Sequence, residues 1–358
     1  MSTRRSFIAG MLASGFFPLP TWAEAGSPVF LSAGLRPDGT YVLCGLGASG
    51  EITFELPLPA RGHAAAAHPT LAQAVAFARR PGRFALVIDC VTGRELARLA
   101  APAGRHFYGH GTFSADGDLL FTTENDYETA RGIVGIWDAR HRYKRLGEFS
   151  SGGIGPHDIR RVPGSDTLVV ANGGIETHPE TGRAKLNIPT MRPNLSYLSY
   201  SGTLQDSAEP PEEMHRNSIR HLSVRRDGLV AAACQWQGDL GDVPALLATH
   251  RPGEPLHFHA SATDLERKMQ GYVGSVAVSQ DGEQIAITGP RGGLASVFDV
   301  AGRYTGFLDE PDICGTAALP DGFAFTTGKG FVLFDRPDAG RPVRQNLQWD
   351  NHLVAGAV

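Results

Sequence analysis

One short motif recurs along this chain: an apolar run that ends in a tight polar turn, with a histidine about six residues ahead of the turn. HGTFSADG (110–117) and HLSVRRDG (221–228) are the clearest copies, and SVAVSQDG (275–282) repeats the pattern with serine in the histidine's place. His63, His157 and His352 open comparable apolar runs. A repeat of roughly 40–60 residues built from short strands is the signature of a β-propeller. Equivalent positions of a propeller lie at one height around one axis. His63, His110, His157, His221 and His352 are therefore expected to form a partial ring. Imidazole is the commonest metal ligand and titrates near neutral pH.

The rest of the chain parses into the same unit. HAAAAHP, QAVAFAR, FALVIDC and RELARLA read as four strands of one blade. HGTFSA, DLLFTTE, GIVGIWD and YKRLGEF read as the next. Three more complete blades follow, and a further one ends near Val343–Leu347. The two ends are each incomplete. HLVAGAV (352–358) looks like a first strand with nothing after it, whereas PVFLSAG, TYVLCGL and EITFELP look like a blade without its first strand. Joining them gives an all-β, seven-bladed β-propeller over 27–358. It is closed by pairing of the C-terminal strand with the N-terminal blade, which removes exposed sheet edges. The 44 glycines suit many short strands and turns.

Residues 1–25 read as an export signal. Arg4 and Arg5 precede Ser6-Phe7-Ile8, then an apolar run too short to span a membrane, then small residues at Ala23 and Ala25. Paired arginines followed by Ser-Phe-Ile resemble the twin-arginine signal, which implies a periplasmic destination and export of folded protein. Cleavage after Ala23 would remove both arginines and move the net charge from −4 to −6. An acidic chain argues against nucleic acid and anionic membrane surfaces. No membrane span is expected, and the chain is expected to be a monomer. Cys44, Cys90, Cys234 and Cys314 show neither CxxC nor CxxCH spacing and read chiefly as small buried hydrophobes.

Gly109-His110 followed by Trp137-Asp138, with Phe298-Asp299 as an echo, resembles a WD40 repeat. In that family the histidine lies about a dozen residues before the turn; here the interval is half that, so its structural role does not carry over. RHFYGHGTFSADG (105–117), GIGPHDI (153–159), MRPNLSYL (191–198) and NSIRHLSV (217–224), with the leader, resemble an uncharacterised family of exported, YVTN-like bacterial propellers. That family is commonly encoded beside imelysin-type, iron-regulated periplasmic proteins. The resemblance implies iron handling and periplasmic iron-uptake partners, and transfers no catalytic residues.

Topology suggests which face works. In a four-stranded antiparallel blade with strands A to D from the axis outward, the D–A and B–C loops share one face. The A–B turns SADG, RRDG, SQDG and LPDG are short. The B–C segments Glu124–Arg131, Ile175–Pro193, Gln235–Pro244 and Gly289–Gly293 read as long polar loops, where function usually lies. Glu124, Asp126, Glu128, Arg131, Asn172, Glu176, His178, Gln235 and Arg291 are the candidate cofactor-binding residues, beside the five candidate metal histidines. Solvated loops and a structural belt of histidines, each bonded within its own blade interface, are the competing readings.

GxSxG, HExxH, Walker and EF-hand patterns are absent, which leaves common hydrolase, nucleotide and calcium functions unsupported. The expectation is a periplasmic, non-enzymatic propeller that binds a metal, a metal complex or a partner protein on its histidine face, accessory to iron acquisition. Imidazoles with carboxylates suit iron or copper. The alternatives are a metal-dependent oxidoreductase or lyase with its active site at the axial funnel, and a metal-free interaction scaffold.

Overall fold

The computed structural model describes residues 20–79, 83–182, 184–262, 264–336 and 340–356. The expected leader lies almost wholly outside the described residues. Its last residues do not: Trp22 is buried, and its indole N–H donates to the His68 carbonyl at 2.8 Å.

Seven four-stranded antiparallel sheets surround one axis. The innermost strands are β28 (Gln348–Ala355), β4 (Gly62–Ala67), β8 (Arg105–Phe113), β12 (Pro156–Arg161), β16 (Asn217–Val224), β20 (Ser275–Val278) and β24 (Ile313–Leu319), for blades 1 to 7 in turn. Their alternation of small and apolar residues, such as GHAAAA in β4, lets seven backbones approach one axis. The ring closes as expected. β28 pairs antiparallel with β1 (Phe30–Leu35), with Phe30 opposite Ala355 and Leu35 opposite Gln348. The Ser32 hydroxyl adds a 2.8 Å bond to the His352 carbonyl.

The core lies between blades rather than within one. Phe30, Val42 and Cys44 of blade 1 pack on Ala317, Ala324 and Val332 of blade 7. Val169, Leu195 and Tyr197 of blade 4 pack on Ile219, Val230 and Cys234 of blade 5. The A–B turns are built as their residues dictate. Ser114 and Ser279 each bond the aspartate two residues on, and Gly117 and Gly282 take φ of +81° and +80°, which an L side chain resists.

The histidine strands are not regular. The pairing register shifts between Gly62 and Ala65, Phe107 and Gly111, Pro156 and Asp158, and Ile219 and His221. On β28 it shifts between Trp349 and Leu353. Each shift marks a β-bulge, which re-aims the side chains around it. The histidines therefore sit at or beside a bulge. They do not all open strand A, since His110, His221 and His352 lie inside β8, β16 and β28.

Candidate metal centre

The bulges bring all five histidines to the axis. His110 is the hub. Its ring centroid lies 5.0 Å from those of His63 and His157, 5.9 Å from His221 and 4.8 Å from His352. The other four close a circuit around it: His63–His157 at 5.6 Å, His157–His221 at 4.7 Å, His221–His352 at 4.8 Å and His352–His63 at 4.5 Å. All five are buried. In blades 6 and 7 the ring is open, because Ser275 and Gly315 stand where histidine would be. A Cβ on Gly315 would lie 2.5 Å from the Thr326 hydroxyl and 2.8 Å from the Leu353 nitrogen, so no side chain fits there.

A structural belt would satisfy each imidazole within its own blade interface. Instead each ring keeps one buried nitrogen without a hydrogen-bond partner: Nδ1 of His63, His157 and His221, and Nε2 of His110 and His352. An unpaired buried polar atom costs roughly 1–3 kcal/mol, so five together point to a missing partner. Two triads, His63–His110–His352 and His110–His157–His221, each offer three ligand atoms within 4.8 Å of one another. Burial pushes the imidazolium pKa of His63, His157, His221 and His352 well below the usual value of 6.5. Neighbouring histidines and Arg220 or Arg160 push in the same direction. These four rings are neutral, the form that ligates metal.

Sequence reasoning missed the group that orients the hub. Asp158, 1% exposed, faces His110 Nδ1 at 3.1 Å through Oδ1. It also accepts the backbone N–H groups of Ile159 at 2.8 Å and Leu222 at 2.9 Å, and pairs with Arg160 at 3.3 Å. Burial pushes its carboxyl up, but Arg160 and His110 together hold it well below the usual range. A carboxylate on the far nitrogen of a histidine fixes its tautomer and leaves the other nitrogen free to ligate, the usual support of a metal-binding imidazole.

The candidate loop residues separate into two groups. Gln235 lines the funnel, with its amide donating to the Val273 carbonyl at 2.9 Å. Arg291 flanks it, its guanidinium 4.2 Å from the ring centre of Tyr272, which also lines the funnel. The other residues line no part of it. Glu124 and Asp126 belong to β9 (Leu119–Asp126), and Arg131 begins β10 (Arg131–Asp138), so the expected long loop is only residues 127–130. Glu124 is fully buried and held by two bonds from Arg145, 2.7 and 3.0 Å, within its own blade. Asn172 is fully buried and bonds Ser151 and Ser196. His178 caps a short 3-10 turn, 3.9 Å from Glu128, and the Glu176 backbone is tied to Asn187. The cysteines are buried and free, and burial pushes the thiols of Cys44, Cys90 and Cys314 up to about 12. Cys314 belongs to neither histidine triad.

Fold and site together define a seven-bladed propeller with a buried imidazole cluster on its axis. The chain belongs to the family described as "Protein of unknown function (DUF1513)", which matches residues 56–356. No curated protein matches the chain. Many solved structures are similar to it, among them two that share its architecture over most of their length. Kuenenia stuttgartiensis hydrazine synthase is 13% identical with a TM-score of 0.57, covering 92% of this chain and 97% of that one. KlHsv2 with loop 6CD replaced by a Gly-Ser linker is 11% identical with a TM-score of 0.54, covering 88% and 91%. At these identities the likeness is one of fold.

Proposed function

We propose that the five-histidine cluster binds one transition-metal ion, iron or copper, and that the protein is a periplasmic metal-binding accessory of iron acquisition. The observation that carries the metal assignment is the convergence of five buried, partnerless imidazole nitrogens on one axis. Nitrogen-rich, carboxylate-free coordination disfavours calcium and magnesium, which take oxygen ligands. His110 is the central ligand because it alone contacts all four others and belongs to both triads. The periplasmic setting and the iron-uptake partners rest on the leader motif and on the family resemblance.

The test is metal analysis of protein exported by its native host, followed by titration of chelator-treated protein with Fe(II) and Cu(II). One equivalent of metal is expected, and His110→Ala should lose most of the affinity while keeping the fold. Metal-free exported protein that takes up no ion would overturn the assignment. A partner captured by such metal-free protein would move it to the scaffold class, and turnover by loaded protein to the enzymes.

A further inference from the structure

We infer that the funnel above the imidazoles is a binding site for a small polycarboxylate, one that chelates the bound ion through its carboxylates and carries its remaining charge to Lys185 and Arg220. The inference deepens the metal reading by naming the form in which the ion is held. A cavity of about 190 Å³ opens directly on His63, His157 and His221, and the charged groups around it are Arg79, Lys185 and Arg220. Among the described residues no carboxylate lines it. Asp350, beside Arg79, is already shared by Arg61 at 2.6 Å and Arg79 at 3.3 Å, so that cluster keeps a positive excess.

Charge makes this collar informative. The protein as a whole carries −4, yet among the described residues the charged groups that line this cavity are all cations. Neutral imidazoles donate electron pairs but no charge, and Asp158 is offset by Arg160. A divalent or trivalent ion here would add its charge to that of the collar in a partly dehydrated site, where like charges repel far more than in water. Anions entering with the metal remove that conflict. Partial burial, and then Arg220 and Arg291 close by, push the Lys185 ammonium pKa below its usual 10.5, although its side chain still reaches solvent. At about 30 Å³ per water, the cavity holds roughly six waters, the space of a di- or tricarboxylate. Lys185 and Arg220 supply charge-assisted bonds, while Gln235, Tyr272 and Asn351 give neutral polar contacts around them.

Citrate and oxalate are the probes, added to the full-length mature protein loaded with Co(II) and followed by calorimetry and by the cobalt visible spectrum. Citrate is expected to bind at one equivalent and to shift the cobalt bands. Lys185→Gln should weaken it about tenfold, and Lys185→Gln with Arg220→Gln by more, at unchanged cobalt stoichiometry. Lys185 is exposed, so the single variant tests the idea even where the double variant misfolds. Unchanged citrate affinity in Lys185→Gln would overturn the inference, as would tighter binding of inorganic phosphate or of an uncharged polyol. Should no metal bind, citrate uptake by metal-free protein that is lost in Lys185→Gln still supports the collar. Metal binding without any carboxylate effect removes the collar and leaves the metal site.

Discussion

The metal-free protein should be unusually sensitive to mild acid, and the size of the effect follows from the axis. His63, His157, His221 and His352 are buried, which holds their imidazolium pKa well below the usual 6.5. In the unfolded chain each returns to about 6.5 and takes up a proton as the pH falls through that value, whereas the folded rings do not. The unfolded state then binds more protons, so stability is full above about pH 7 and is lost as the pH falls below about 6.5. Between about pH 7.5 and 5.5 each such histidine contributes at most ~1.4 kcal/mol, and the four together at most roughly 5 kcal/mol. That is comparable with the whole stability of a modest domain, about 5–15 kcal/mol. Urea unfolding with a chelator at the two pH values measures it. His68, His250 and His259 are also held low by burial and add in the same direction, so a single variant is needed to isolate the cluster. His157→Leu should reduce the acid-induced loss by up to about 1.4 kcal/mol. A loss equal in wild type and variant would refute the argument, because it would mean that the cluster accepts protons without unfolding. Saturating metal should suppress the acid sensitivity, since it stabilises only the folded state.

Asp158→Asn should lower metal affinity by about 10–100-fold without removing a ligand, read by competition with a chromophoric chelator. Glu124→Ala should leave metal stoichiometry unchanged but cost about 1–3 kcal/mol in urea unfolding, because it removes two charge-assisted bonds from Arg145, which keeps Glu148 as its other partner. Deleting residues 351–358 should abolish cooperative unfolding, since it removes most of the pairing between β28 and β1 and opens two edges. Changing Arg4 and Arg5 together to lysine should hold the precursor in the cytoplasm, as cell fractionation will show; normal export would identify the leader as a general secretory signal.

The architecture was legible because it is written redundantly. Seven copies of a strand unit, with turns such as SADG and SQDG, give the blade count, and the incomplete unit at each end gives the closure. The register of the histidines in the repeat was enough to place them around one axis. The loops were misjudged for a physical reason. Charged residues in ENDYE looked solvated, but Glu124 has a guanidinium, Arg145, waiting twenty-one residues later on the outermost strand, and such a pairing leaves no local signal. Asn172 likewise gave no local signal, because its partners Ser151 and Ser196 lie twenty-one and twenty-four residues away along the chain.

The rest of the site was hidden by the bulges themselves. In a regular strand neighbours point to opposite faces, so a histidine on the axis places the adjacent residue away from it. Asp158 follows His157, and Arg220 precedes His221; alternation would send both away from the funnel. The extra residue breaks that period. Pro156 pairs with Asn172 and Asp158 with Ala171, which leaves His157 as the unpaired residue. Ile219 pairs with Cys234 and His221 with Ala233, which makes Arg220 the extra residue of the bulge. Two consecutive side chains then face inward, one an imidazole and the other the charge that orients or surrounds it. A charged residue beside two of the five histidines, HD at 157–158 and RH at 220–221, was the signal in the sequence that could have exposed this. It becomes readable only when the strand is allowed to bulge at the very position where the ligand is needed. Straightening one bulge should therefore remove both groups at once: deleting Arg220 from β16 would restore alternation there. It should cost more metal affinity than Arg220→Ala, which leaves the bulge and the aim of His221 intact, and equal losses in the two variants would show that the bulge does not set the aim.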